Sequence, residues 1–322
     1  RRAAVRARRA APHAGAPGPR GRAALRAALP LEWSPSQLER YARCPFRLFL
    51  DVGAGLEEPG GDGLDIDARD EGSLLHAILE AFVRGRVARG AWPPRDGEAD
   101  RADARAVALA VLDRFEREGR TGDPAVWAAR REAVLARLDR VVAAEARDAG
   151  GLVPALLEHG FGGRSGRPPL ELAAGGARVA LRGRIDRVDA GPDRLVVLDY
   201  KNAKASRGAA YEELLDPAAF GRTSFQIPAY LLAAARELPG RPRLLATYAL
   251  LRSAERLEPV ELRAGDPAEA SFAAGVVDVV SRIERGEFPI ASRSCERCPF
   301  GAVCRFEGVA ASGGDEDEGT AA

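Results

Sequence analysis

The stretch G-R-I-D-R-V-D (Gly183–Asp189), followed after five residues by L-V-V-L-D-Y-K (Leu195–Lys201), decides how this chain is read. Side chains alternate along a strand, so Val197, Asp199 and Lys201 share one face, and Val196, Leu198 and Tyr200 the other. A turn centred on Gly191–Pro192 makes paired residue numbers sum to about 383, which sets Asp186 opposite Val197 and diagonal to Asp199. Two carboxylates and an ammonium then converge on one spot of the sheet. A one-residue slip in register would separate them.

That grouping suits metal-assisted hydrolysis of a phosphodiester. Paired carboxylates hold Mg²⁺ or Mn²⁺ through hard oxygen ligands. Such a metal acidifies a bound water and neutralises charge in the transition state. A neighbouring lysine orients the water or stabilises the anion as a compact point charge. A bare D-x-K is more often just a solvated hairpin with a surface ion pair. The apolar strand ending in D-Y-K, after G-x-x-D on the strand before it, favours the site.

Composition sharpens the case for Lys201. The 322 residues hold 48 Lys and Arg against 47 Asp and Glu, yet Lys201 and Lys204 are the only lysines. Arginine therefore stands almost everywhere that a bare positive charge suffices. A catalytic group that must share a proton is a place where it does not, because its pKa is too high. Lys204 carries no such argument and is left as a phosphate contact.

Outward from the hairpin, residues 169–174, 177–188 and 194–201 read as a β-meander of short runs separated by Gly and Pro. A helix near 224–237 precedes a strand at 243–251, a short strand near 257–262 and a last helix over roughly 267–286. On the N-terminal side, S-P-S-Q at Ser34–Gln37 offers an N-cap, a first-turn proline and a reciprocal cap for a helix that delivers Cys44. Gly72–Arg86 reads as an amphipathic helix with Leu75, Ile78, Leu79 and Phe82 on its apolar stripe and His76 on a neighbouring one. Two Ala/Arg/Leu helices follow near 99–118 and 124–148, inside a helical insertion placed at about 90–160. Helices, then a sheet, then helices imply one mixed α/β domain over 32–308. Residues 1–31 read as a flexible Arg/Ala/Pro-rich arm or linker, and 309–322 as a disordered acidic tail. The missing initiator Met suggests a fragment of something longer.

Further candidates lie outside the hairpin. G-x-x-x-H (Gly72–His76) supplies a third metal ligand in His76, and Glu158, in L-L-E-H-G-F-G-G, is another candidate carboxylate. His159 falls near an expected loop. Q-I-P-A-Y places Gln226 and Tyr230 on one helix face, where both reach a phosphate or a metal-bound water from the same side. C-x₂-C-x₅-C at Cys295, Cys298 and Cys304, with the distant Cys44, makes four thiolates. They suit either a tetrahedral zinc or a [4Fe–4S] cluster. One ligand standing about 250 residues from the others tilts the reading toward iron–sulfur. Either group would staple the front of the domain to its back.

Several classes are excluded. Four cysteines in a chain this long make no disulfide scaffold. No apolar run approaches the roughly 18 residues of a membrane helix. A net charge of +1 gives no global basic field, so nucleic-acid binding must use a local patch.

In this order, Cys44, G-x-x-x-H at His76, G-x-x-D at Asp186, D-Y-K at 199–201, Q-x-x-x-Y at 226–230 and C-x₂-C-x₅-C resemble the PD-(D/E)xK nucleases of the RecB-like branch. The four-cysteine pattern is similar to the C-terminal nuclease domain of AddB-type helicase–nuclease subunits, over about residues 32–308. The resemblance implies a restriction-endonuclease-like central mixed sheet flanked by helices. It implies a Mg²⁺-dependent (or Mn²⁺-dependent) DNA nuclease, acting as an exonuclease on linear or single-stranded ends in the cytoplasm, in double-strand break repair and recombination. His76, Asp186 and Asp199 would be metal ligands, with the Tyr200 carbonyl as an addition. Lys201 would be the catalytic lysine, and Gln226 and Tyr230 the accessory pair. Cys44, Cys295, Cys298 and Cys304 would hold a structural [4Fe–4S] cluster, with zinc the alternative occupant. No Walker A motif is present, so no helicase activity is encoded here; the resemblance implies a helicase or helicase–nuclease partner subunit, and no membrane. The insertion at 90–160 departs from the compact CRISPR-associated nucleases that share the cysteine pattern, which rank second. A non-catalytic DNA-binding module on the same scaffold is the reading from another class. Retention of Asp186, Asp199 and Lys201 argues against it.

Overall fold

A computed structural model describes residues 17–57, 63–263, 265–291, 295, 298–301 and 303–304. The segment with the three C-terminal cysteines is thus described in part, and the acidic tail and the first 16 residues of the expected arm lie outside the described residues.

The two apolar strands of the decisive stretch, β5 (Gly183–Ala190) and β6 (Arg194–Lys201), form the centre of a six-stranded sheet. β2 (Val153–Phe161) pairs antiparallel with β5 at one edge, and β7 (Arg243–Leu250) runs parallel to β6 on the other side. Two short strands, β8 (Glu255–Arg256) and β9 (Val260–Arg263), both pair with β7. The sheet is mixed because a helix, α7 (Gln226–Glu237), carries the chain from β6 back to the start of β7.

The hairpin register differs from the expected one by two residues. Arg187 pairs with Leu198 and Val188 with Val197, so residue numbers sum to 385 and not 383. The cause is the turn: the Gly191 N–H donates to the Arg194 carbonyl (2.9 Å), which centres the turn on Pro192–Asp193. An even shift keeps every side chain on its face. It also brings Asp186 directly across from Asp199 and not diagonal to it.

The run 177–188 is two strands. β4 (Ala177–Leu181) pairs with β3 (Leu170–Ala174) and with β1 (Glu32–Trp33) in a separate three-stranded sheet. The chain leaves that sheet at Arg182 and enters the large one at Gly183. A side chain at 183 has no room: an added Cβ would sit 2.6 Å from the Phe161 ring and 3.2 Å from Tyr230.

β2 is not legible in the sequence pattern, where its residues read as the end of a helical insertion with His159 near a loop. Pro154, a bulge between Pro154 and Leu156, and a left-handed Glu158 (φ 46°) break the alternation that marks a strand. Proline is tolerated there because β2 is an edge strand.

Helices cover both faces. On one lie α1 (Pro19–Ala28), α2 (Pro35–Arg43), α7 and α8 (Pro267–Glu284), around a core that includes Leu38, Val188, Val197, Leu231 and Phe272. α1 occupies part of the segment expected to be a flexible arm, and it buries Leu25. The S-P-S-Q capping box forms: the Gln37 N–H donates to Ser34 Oγ (3.3 Å), and the Ser34 N–H to Gln37 Oε1 (3.0 Å). On the other face lie α3 (Ala68–Ala88), α4 (Glu98–Arg117) and α5 (Pro124–Asp148), packed against Tyr200, Ala249 and Leu251 of the sheet. Gly208–Leu215 forms α6. Among the described residues no helix is long and apolar enough to cross a membrane.

A buried ion network bonds α5 to the sheet. Arg187, with no exposed surface, donates through Nε and Nη2 to both oxygens of Asp189 (2.6 Å each). Its Nη1 donates to Glu145 Oε2 (2.8 Å), and its guanidinium stacks over Trp92 (4.6 Å to the centroid). Arg256 Nη2 donates to the same Glu145 oxygen (2.8 Å).

Candidate active site

The hairpin delivers Asp186 and Asp199 side by side, both nearly devoid of exposed surface. The backbone pairing stops at Arg187–Leu198, and beyond it the Tyr200 N–H donates to Asp186 Oδ2 (2.7 Å). Burial pushes the Asp186 carboxyl up to about 7, with the Asp199 charge adding to it. His76, Lys201 and the Tyr200 N–H act against that rise.

α3 runs from an Asp67 cap to Ala88 and buries Leu75, Ile78, Leu79 and Phe82, which turns His76 toward the sheet end. His76 Nδ1 lies 3.1 Å from Glu158 Oε1 and 3.5 Å from Asp186 Oδ1. Burial opposes charge on this ring, but the hydrogen bond to Glu158 and the surrounding Asp186, Glu158 and Asp199 outweigh it and raise its pKa to about 9. Glu158 comes from β2, where Leu157 pairs with Arg187 and His159 with Ile185, so it sits opposite Asp186.

His76, Glu158 and Asp186 each offer a ligand atom, and these atoms lie within 4.8 Å of one another. One octahedral cation with bonds of roughly 2.0–2.1 Å fits such a set. The donors are one imidazole and hard oxygens, the chemistry Mg²⁺ or Mn²⁺ accepts. Asp199, expected as a ligand, is not among these three, although it lies across the hairpin from Asp186 and its charge acts on that carboxyl. Its Oδ2 is ion-paired with Lys201 Nζ, yet accepts no hydrogen bond of good geometry. The group borders a cleft of about 410 Å³ lined by Arg69, Ser73, Glu80 and Arg184.

Lys201 is fixed from two sides. Besides its ion pair with Asp199, Nζ donates to Gln226 Oε1 (2.9 Å) and lies over the Tyr248 ring (5.2 Å to the centroid). Burial would lower its pKa, but Asp199, Asp186 and Glu39 raise it, so the ammonium is retained. Gln226 Nε2 in turn donates to the Tyr230 hydroxyl (3.1 Å). Burial first, then Asp199 and Asp186, hold that phenol neutral, well above its ordinary range. Tyr200, by contrast, points its ring to the opposite face, where its hydroxyl meets Arg187 Nη1 (3.3 Å); toward the site it presents its backbone N–H.

Glu39 is a site residue that sequence reasoning misses. From α2 its Oε1 accepts the N–H groups of Phe225 (3.1 Å) and Gln226 (3.0 Å), capping α7 from 186 residues away. Burial pushes its carboxyl up, against those two hydrogen bonds and the charge of Lys201. No local signal marks it, because its partners belong to another helix.

α2 ends at Cys44. Cys295 has its thiol pushed up by burial and then by the nearby Cys44 and Cys298 thiols, so both ends of the domain meet here. The scaffold that joins them is aromatic: the Tyr41 hydroxyl donates to the Glu287 carbonyl (2.6 Å), and Phe288 packs on Tyr41 and Phe49. The Cys298 N–H donates to the Cys295 carbonyl (3.0 Å), and the Cys304 N–H to that of Phe300 (2.8 Å). None of the four cysteines is in a disulfide, and all are half-buried. Cys295, Cys44 and Cys298, near enough to influence one another, are the kind of thiols that suit a thiolate-bound metal or cluster.

A mixed sheet flanked by helices, with a carboxylate pair and a lysine at the meeting ends of two central strands, is the architecture of a nuclease superfamily. The chain belongs to the PD-(D/E)XK nuclease superfamily, whose family model matches residues 32–305. It is 34% identical over 232 residues to the B subunit of the ATP-dependent helicase/deoxyribonuclease of Moorella thermoacetica, a match covering 68% of this chain and 19% of that protein. The proteins of the same name from Acetivibrio thermocellus and Pelotomaculum thermopropionicum are 31% and 32% identical, over 52% and 55% of this chain and 15% and 16% of their own lengths. The chain thus spans less than a fifth of the curated relatives it matches.

Proposed function

We propose that this chain is the nuclease part of an AddB-type helicase–nuclease. It hydrolyses DNA phosphodiester bonds with Mg²⁺ or Mn²⁺, as an exonuclease on linear or single-stranded ends. It works with a helicase partner subunit in the cytoplasm, in double-strand break repair and recombination. The observation that carries the reading is Lys201 held between Asp199 and Gln226 beside Asp186.

His76, Asp186, Asp199 and Glu158 would hold the metal, which when bound supplies an acidified water and charge neutralisation at the phosphate. The chain's own residues do the rest. An ammonium has three donors; one of those of Lys201 goes to Gln226, and Asp199 faces Nζ as an ion pair. A remaining donor can reach a phosphate oxygen or the attacking water. Tyr230 accepts a hydrogen from Gln226, which leaves its own O–H to donate to the same phosphate. A [4Fe–4S] cluster on Cys44, Cys295, Cys298 and Cys304, with zinc as the alternative, would hold α2 against the C-terminal segment and take no part in hydrolysis.

Lys201→Ala tests the reading directly. Degradation of linear DNA in Mg²⁺ should fall by at least about 10², with DNA binding retained. Unchanged degradation would remove Lys201 from the chemistry. Binding without degradation by the intact chain would favour the non-catalytic module.

A further inference from the structure

We infer that the cleft lined by Asn202, Lys204, Ser206, Arg207, Tyr211 and Arg252 is a second substrate site, which takes a backbone phosphate of single-stranded DNA next to the one held at Lys201. The inference rests on the nuclease reading above.

Charge points to it first. Many arginines described in this fold are tied to carboxylates, among them Arg105 to Asp139, Arg243 to Glu261, Arg101 to Asp96 and Arg120 to Asp70. Lys204, Arg207 and Arg252 are exposed, no carboxylate lines their cleft, and none of them forms an ion pair among the described residues. Behind them Arg137 Nη1 donates to Asn202 Oδ1 (2.9 Å), which orients that amide with its NH₂ as the available donor. A chain with a net charge of +1 that leaves three cations unpaired in one concave place has made an anion site.

Geometry ties this cleft to the proposed reaction. The Ala203 N–H donates to the Lys201 carbonyl (2.7 Å), and the Arg252 N–H to the Ala203 carbonyl (3.0 Å). Three residues reach at most about 10 Å, so Lys204 lies within a nucleotide or two of Lys201. The aromatic lining selects a single strand. Tyr211 packs against Tyr248 (5.1 Å between centroids, 50° apart), the ring over which Lys201 sits. Cations beside a braced aromatic ring are how proteins grip unpaired nucleotides, the phosphate by charge and the base by stacking. The second lysine of a chain that otherwise uses arginine thereby acquires a role.

The test is a variant with Lys204→Ala, Arg207→Ala and Arg252→Ala together, compared with the parent and with Lys204→Arg. Binding of a fluorescent 20-nucleotide oligothymidine is measured by anisotropy without added divalent metal, across a salt series. Removing three cations that grip single-strand phosphates should flatten the slope of log affinity against log salt by about 2, and Lys204→Arg should keep the parent slope. With Mg²⁺, half-saturating DNA should rise about 10-fold or more while the rate at saturation stays within twofold. A variant with the parent slope and affinity overturns the inference. Equal losses on blunt duplex and single-stranded DNA overturn its assignment to a single strand. A parent that binds DNA without degrading it ends the nuclease reading, while the salt slope still decides this site. A parent that neither binds nor degrades ends both.

Discussion

Replacing Glu39 by alanine should weaken the fold and the proposed reaction together, because this side chain holds the N-terminus of α7 and, through Gln226, the proposed catalytic Lys201. Its Oε1 is the partner of two backbone N–H groups, one of them on the fully buried Phe225. Leaving a buried donor unpaired costs about 1–3 kcal/mol. Phe225 bears most of the penalty and Gln226, half-exposed, less, so the loss is about 2–4 kcal/mol, or a fall in Tm of roughly 5–10 °C for a domain of this size. A displacement of α7 moves Gln226 off Lys201, and misplacement by an ångström costs on the order of 10² in rate. Glu39→Gln keeps an acceptor oxygen and should retain most of both. The pH dependence has a definite sign. The carboxyl of Glu39 is raised in the folded protein, chiefly by burial, so its ionised form is disfavoured there. That penalty is absent below the unfolded value of 4.5 and develops as pH rises through the folded value. The stability of Glu39→Gln relative to the parent should therefore improve with rising pH. Urea melts at several pH values and single-turnover degradation of end-labelled DNA measure these quantities. An alanine variant that loses stability but keeps its turnover would refute the positioning role. A glutamine variant as damaged as the alanine would show that charge, and not the acceptor, matters.

Arg187→Met should cost about 3–5 kcal/mol, since it strands the Asp189 carboxylate in the core and leaves Glu145 with Arg256 alone; urea melts read this, and a loss under about 1 kcal/mol would mean water reaches the network. Glu145, held below its usual range by Arg187 and Arg256 against the effect of burial, contributes stability above the unfolded value that is lost as pH falls through its folded pKa. Glu145→Gln should accordingly flatten the acid limb of a stability–pH curve, and an unchanged limb would count against the assignment. Asp186→Asn should abolish DNA degradation while stabilising the metal-free protein by about 0.5–2 kcal/mol, by relieving repulsion with Asp199; a thermal melt without metal checks the sign. Cys44→Ser should remove a broad visible absorbance from anaerobic preparations and lower their iron content, whereas a colourless parent carrying stoichiometric zinc would replace iron–sulfur with zinc.

Strand identity and face were legible because the period of two in G-R-I-D-R-V-D and L-V-V-L-D-Y-K needs no partner to be read. So were the capping box at Ser34–Gln37 and the core stripe of α3, both of which are local patterns. The Gln226–Tyr230 contact follows from helical spacing alone. The exact register did not follow, because a turn one residue further along moves every pair by two and leaves the face pattern untouched. Nor did β2, whose bulge and left-handed Glu158 erase the alternation while placing that carboxylate on His76.

The sequence by itself determined the alternation that puts Asp186, Asp199 and Lys201 on one face, and the cysteine spacing that marks a thiolate site. Only the tertiary structure decided that Glu158 joins His76 and Asp186, that Glu39 caps the helix bearing Gln226, and that three unpaired cations gather beyond Lys201. Those are contacts across dozens to nearly two hundred residues. Their energies depend on burial and on neighbouring charge, and no local period of the sequence encodes either.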